Sequence, residues 1–302
     1  MRKRKCTTRT NEDPLSCAYD VAAAGKSPKI KRRSFGLARA ALAAGLLAML
    51  CNVNSVPGDF LIDDVMAVVT NDDVTGNAPL REIWRHDFWG KPISSPVSHK
   101  SYRPLTTLSF RANASWFGPE PFSFHAINVL LHGFVTGLFA LMAGHICSLL
   151  PARHDGRQEA EVGGLVAGLI FAVHPIHTEA AAGLAQVANV TGRAELLSGL
   201  FYVLAFLAYA SLTAETPDTR VAEARAPEAA VAPKLYTPGQ VLRQVAAVGA
   251  AAVCGAAAML CKEQGLTVLA VCALYDVCFH LRLHIGTALG DSRQVRPSLL
   301  AH

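Results

Sequence analysis

The sequence predicts an all-α integral membrane protein, a multi-span helical bundle with a large first lumenal loop. Two observations carry this. Of 302 residues, 51% are hydrophobic and only 17% are charged, whereas soluble domains carry about 25% charged residues. The apolar residues are also bunched into uncharged runs close to the ~20 residues that cross about 30 Å of hydrocarbon. The charges collect in the N-terminal arm, one polar loop, two short connectors and the tail. No nucleic-acid partner is expected; the partner is membrane lipid.

Six apolar segments follow in order. Residues 37–56 form the first, interrupted by Arg39 near its start, and residues 125–150 form the second, which holds no charged residue. The third, 162–184, is apolar to Val173 and then carries His174, His177 and Glu179. Residues 196–213 are the fourth. Residues 244–261, rich in Ala and Gly, are the fifth, and 264–281 are the sixth, short and broken by Asp276.

Cationic residues set the expected orientation. Arg2, Lys3, Arg4 and Lys5 open the chain, and Lys29, Lys31, Arg32 and Arg33 precede the first segment. Loops rich in Lys and Arg stay cytosolic. Residues 1–36 are therefore a cytosolic basic arm, and 37–56 are a signal anchor at the head of a membrane domain spanning 37–281. Alternation puts the 57–124 loop, the 177–195 segment and the Lys262-Glu263 hairpin in the lumen. It puts 153–161 and 214–243 in the cytosol. The 214–243 loop is rich in Ala, Pro and Glu and is expected to be disordered; 282–302 form a tail. Two N-glycosylation tripeptides, Asn113-Ala-Ser and Asn189-Val-Thr, fall on the expected lumenal side. Cys51, Cys147, Cys254, Cys261, Cys272 and Cys278 lie in or at the spans, with Cys6 and Cys17 in the arm. They read as small apolar residues, neither disulfides nor metal ligands.

Candidate chemistry lies in the first loop and at the lumenal ends of the spans. Asp63 and Asp64 follow directly on the first segment. A carboxylate there can serve as general base on an incoming hydroxyl, since burial and a like-charged neighbour raise its proton affinity. On the dipeptide alone a solvated loop start or a helix cap is the commoner reading, and the pair could also bind a metal. His99, Lys100 and Arg103 sit near a membrane face, where cations suit a phosphate. Trp84, Trp89, Tyr102 and Trp116 suit the interface. In the second segment His125, Asn128 and His132 recur at i, i+3 and i+7 on one helix face, which polar residues turn toward the bundle interior or a wet cavity. The third segment ends His174-Pro-Ile-His177-Thr-Glu179, and the polar string continues at Arg193 and Glu195. Pro175 spoils a helical His pair, so no metal is expected there.

Seven strings occur in order: Phe60-Leu-Ile-Asp63-Asp64, Asp87-Phe-Trp-Gly90, Ser98-His-Lys-Ser-Tyr-Arg-Pro-Leu105, Phe110-Arg-Ala-Asn113, His174-Pro-Ile-His-Thr-Glu179, Gly192-Arg-Ala-Glu-Leu-Leu197 and Cys261-Lys-Glu-Gln-Gly265. Together they resemble the N-terminal membrane half of the transmembrane and tetratricopeptide-repeat (TMTC) family. The resemblance implies a GT-C-like bundle in the endoplasmic reticulum membrane with a cytosolic N-terminus. It implies mannose transfer from dolichyl-phosphate mannose to Ser or Thr of secretory-pathway proteins such as cadherins, with no cofactor beyond that lipid-linked donor. Asp63 or Asp64 would be the base. Arg193 and Lys262 would face the donor phosphate, His174 and His177 would donate hydrogen bonds, and Glu179, Glu195 and Glu263 would complete the polar rim. No tetratricopeptide repeat is recognisable, so a fragment or shortened form is expected. A non-catalytic membrane scaffold is the alternative; transport lacks the symmetric pair of broken spans it would use.

Overall fold

The structure, a computed structural model, describes residues 33–150, 156–174, 189–214 and 237–280. Most of the basic arm, most of the 214–243 loop, the 282–302 tail, His177 and Glu179 lie outside the described residues. Among those described there is no strand, only an isolated bridge between His86 and Pro92. The chain builds α1 (Arg33–Asn52), α2 (Pro104–Phe117), α3 (Pro121–Cys147), α4 (Gly156–Val173), α5 (Arg193–Thr213), α6 (Pro238–Cys261) and α7 (Val268–Tyr275). Proline opens α2, α3 and α6, where its missing N–H has no intrahelical partner to lose. Thr237 and Gln240 close a reciprocal capping box at the start of α6.

Among the described residues, four helical stretches are long and apolar enough to cross a membrane: Gly36–Ser55, Pro121–Cys147, Val190–Thr213 and Pro238–Cys261. The protein is thus a multi-pass, all-α membrane bundle. Two expected segments differ from the reading of the sequence. The third begins earlier than residue 162, since α4 takes Arg157, Glu159 and Glu161 into its first two turns and ends at Val173. The sixth is not one regular helix. It is a 3-10 turn (Glu263–Thr267), then α7, then a wider turn (Asp276–His280).

Helices α1, α3 and α4 meet through small residues. A Cβ on Gly133 would come 2.9 Å from the Gly45 carbonyl oxygen, and one on Gly164 would come 2.7 Å from that of Ala140. Ala41, Ala44 and Ala140 are buried in the same seam. Backbones this close gain dispersion contacts that lipid cannot replace. Gly133→Val is therefore expected to force α1 and α3 apart and lower stability by about 1–3 kcal/mol. A detergent melting curve checks this; an unchanged midpoint would contradict the close approach. The matching of Gly45 with Gly133 and of Ala41 with Gly137 makes α1 and α3 antiparallel, and Gly144 against Ala160 makes α3 and α4 antiparallel.

On the other side, Phe206, Tyr209 and Ala210 of α5, Ala247 and Ala251 of α6 and Val268, Cys272 and Tyr275 of α7 form one apolar core. Rows of exposed apolar residues, Leu42, Leu46 and Leu50 on α1 and Val162, Val166 and Ile170 on α4, give these helices faces suited to lipid.

This pairing gathers the C-terminal ends of α1, α4 and α6 and the N-terminal ends of α3, α5 and α7 at one end of the bundle. The 56–120 region covers that end as a platform. Its core of Ala67, Val68, Val74, Phe88 and Phe110 continues into Phe124 of α3 and Val190 before α5. Thr106 of α2 donates to the Cys261 carbonyl at the end of α6, 2.9 Å away.

Candidate functional site

The aspartate pair sits on a single helical turn, Ile62–Asp64, and the two members face different surroundings. Asp63 is exposed and Asp64 is fully buried. Both Asp64 oxygens accept backbone hydrogen bonds. Oδ2 takes the Leu61 N–H at 3.0 Å, and Oδ1 takes the Thr191 N–H at 2.8 Å. Burial pushes the Asp64 carboxyl up, with the hydrogen bonds from Leu61 and Thr191 pulling the other way. Asp64 thus latches the platform to the turn Val190–Gly192 ahead of α5, while Asp63 remains open to a reactant.

Arg193 overturns the rim assignment. It is 1% exposed and does not line a surface where a phosphate could reach it. Its Nε donates to Asn128 Oδ1 at 2.8 Å, and its Nη2 donates to Asn113 Oδ1 and the Phe124 carbonyl, both at 2.9 Å. The guanidinium also lies over the rings of Phe110 and Phe124, 4.9 and 5.2 Å from their centroids. Arg193 therefore ties α2, α3 and α5 together with neutral partners.

The tripeptide asparagines belong to the same network. Asn113 is 2% exposed, accepts from Arg193 and donates to Ser123 Oγ at 2.8 Å. Asn189 is 4% exposed, and its Oδ1 accepts from the Thr191 N–H and hydroxyl. A glycan on either would displace this packing, so neither is expected to be glycosylated in the folded protein. Glycosidase treatment checks it; a mobility shift abolished by Asn113→Gln or Asn189→Gln would contradict the arrangement.

The polar face of α3 is confirmed as interior. Asn128 donates to the carbonyls of Asn189 and Val190 at 3.2 and 3.3 Å. His132 is buried and stacks on Phe171, and His125 is buried beneath the Asp59 carbonyl.

Four other candidates form two ion pairs at the same end of the bundle. Lys262 pairs with Glu195, and Arg103 Nη2 lies 3.4 Å from Glu263 Oε2. Arg103 also lies over the Phe88 ring, 5.1 Å from its centroid, and its buried Nε has no hydrogen-bond partner. His174 is exposed at the end of α4.

Lys100 and His99 are engaged within the loop itself. The Lys100 ammonium donates to the carbonyls of Ile93 and Ser95, and its backbone takes a positive φ of 65°, a conformation uncommon for a side-chain-bearing residue. His99 Nδ1 lies 2.7 Å from Ser101 Oγ. Asp87, which the sequence offers only as the head of the Asp87-Phe-Trp-Gly90 string, organises this loop. Its Oδ1 accepts the N–H groups of Trp89 and Lys91, and its Oδ2 accepts the Ser98 hydroxyl and the His99 N–H. Burial pushes the Asp87 carboxyl up, but the hydrogen bonds from Ser98, Lys91, Trp89 and His99 outweigh it and hold the group below the usual carboxylate range. Because the folded value is the lower one, the stabilisation is present above the unfolded value of about 3.9 and is lost as pH falls through the folded value. Hydrogen exchange at the Trp89 and Lys91 amides is expected to accelerate below about pH 4 relative to base expectation; protection that persists unchanged into strong acid would contradict this.

Among the described residues no group of three His, Cys, Asp or Glu side chains is placed to hold a metal ion.

A multi-pass helical bundle, capped at one end by a platform that exposes Asp63 and fixes its neighbour Asp64, is the class these features define. The chain belongs to the TMTC family. It is 39% identical over 253 residues to mouse protein O-mannosyl-transferase TMTC4, covering 83% of this chain and 31% of that protein. It is 40% identical over 241 residues to human TMTC4, covering 79% and 29%. It is 40% identical over 251 residues to human protein O-mannosyl-transferase TMTC1, covering 82% and 25%. The chain spans about a third or less of the length of these curated relatives. No family model and no solved structure matches.

Proposed function

We propose that this chain forms the membrane part of a protein O-mannosyltransferase of the endoplasmic reticulum, with the platform in the lumen and the N-terminus in the cytosol. The donor is dolichyl-phosphate mannose, and the acceptor is a Ser or Thr hydroxyl of a secretory protein of the cadherin type. The observation that carries the reading is the division of labour in the aspartate pair, at the bundle end where two cation–carboxylate pairs also lie. Its support from the relatives is their naming as protein O-mannosyl-transferases.

The chemistry follows from the residues. Asp63 takes the proton of the acceptor hydroxyl as its oxygen attacks the anomeric carbon of mannose. The bond from that carbon to the phosphate oxygen breaks, and dolichyl phosphate leaves. Attack opposite the leaving group inverts the anomeric centre. Lys262 or Arg103 meets the departing phosphate, releasing Glu195 or Glu263. The test is transfer of labelled mannose from dolichyl-phosphate mannose to a cadherin-type acceptor in microsomes carrying the protein. Transfer above that of microsomes without it is expected. Its absence, with the chain present and folded, overturns the reading in favour of a membrane scaffold.

A further inference from the structure

We propose that Arg193 is a positioning residue for the aspartate turn, acting on Asp64 through a relay of two amide groups. The proposal rests on the transferase reading above and deepens it.

The relay can be traced bond by bond. Arg193 Nε donates to Asn128 Oδ1 at 2.8 Å, and Asn128 Nδ2 donates to the Val190 carbonyl at 3.3 Å. That carbonyl and the Thr191 N–H belong to one peptide group. The Thr191 N–H donates to Asp64 Oδ1 at 2.8 Å. Each amide in this series accepts at its oxygen or carbonyl and donates at its nitrogen. Hydrogen bonds arranged in this sense polarise one another, most strongly where water is excluded. Arg193 and Asn128 are 1% and 0% exposed and Asp64 is 0% exposed. The cation at one end therefore strengthens the bond that the anion accepts at the other.

The geometry also argues against a purely structural pin. A buried guanidinium bears a large desolvation penalty, and apolar side chains usually tie helices together at least as well. The described partners of this guanidinium are amide and carbonyl oxygens and two aromatic faces, none of them a carboxylate. The carboxylate it serves stands at the far end of the relay, next to the exposed Asp63. A fixed Asp64 also fixes the helical turn, Ile62–Asp64, on which the exposed Asp63 stands.

Two substitutions separate positioning from stability. Asn113 and Asn128 each accept from Arg193, but only Asn128 lies on the relay. Asn128→Leu and Asn113→Leu should both lower the melting midpoint. Asn128→Leu should also lower kcat by on the order of tenfold, the scale of one hydrogen bond to a charged group, with the KM for dolichyl-phosphate mannose within about twofold. Asn113→Leu should leave kcat in place. If Asn128→Leu does not reach the membrane, Asn128→Gln misplaces the same amide by one methylene and is read in the same way. Equal kcat for the two Asn variants, or a loss in KM alone, overturns the relay. If the unchanged protein transfers mannose and Asp63→Asn abolishes it, that outcome leaves the transferase reading standing.

Discussion

Arg193→Ala is expected to be among the most damaging single substitutions in this chain. Removing the side chain leaves Asn128 Oδ1, Asn113 Oδ1 and the Phe124 carbonyl without the donor that each accepts from. A buried polar group left unmatched costs about 1–3 kcal/mol. The change also opens a cavity against Phe110 and Phe124, both fully buried. Relief of the guanidinium's desolvation offsets part of this. The net loss should be about 3–5 kcal/mol, a large share of the stability of an ordinary domain. Melting in detergent and steady-state abundance in microsomes measure it. Arg193→Met, which restores volume but no donor, should recover only part of the loss. A melting midpoint unchanged in Arg193→Ala would show that the three helix tops are held by something else.

The second large effect separates the two aspartates. Asp63→Asn keeps size and shape at an exposed position, so insertion and melting should be unchanged. An amide cannot take the acceptor proton, and loss of a general base typically costs about 10²–10⁴ in rate. Asp64→Asn should behave differently. Its two oxygens accept separate backbone N–H groups from Leu61 and Thr191, and an amide has one acceptor oxygen and one donor nitrogen. One of those N–H groups would then face an N–H. Asp64→Asn should therefore lower stability as well as transfer, whereas Asp63→Asn should lower transfer alone.

Much of the bundle was legible because apolar runs near the length of a bilayer leave few alternatives. The burial of His125, Asn128 and His132 followed from their shared helix face. The start of α4 was hidden, since Arg157, Glu159 and Glu161 look like a loop in sequence although they lie in its first two turns. Arg193 was misplaced for a related reason. A cation at the top of a span resembles a phosphate ligand in one dimension, and only three-dimensional packing reveals Asn113, Asn128, Phe110 and Phe124 around it. The spacing of Phe110 and Asn113 on one face of α2 was the available hint. The two tripeptides carry buried Asn side chains that a sequence cannot show as such, because an Asn that fits an acceptor tripeptide can equally cap a turn or complete a buried network. Asp87 and Lys100 were invisible as loop organisers, since their partners are backbone groups that every sequence has.

The most direct test of the account is the initial rate at which matched microsomes move labelled mannose from dolichyl-phosphate mannose to a cadherin-type acceptor, measured for the unchanged protein and for Asp63→Asn at equal abundance and equal melting midpoint. The account predicts transfer by the unchanged protein and a fall of at least about a hundredfold in Asp63→Asn. Equal rates from the two would contradict it.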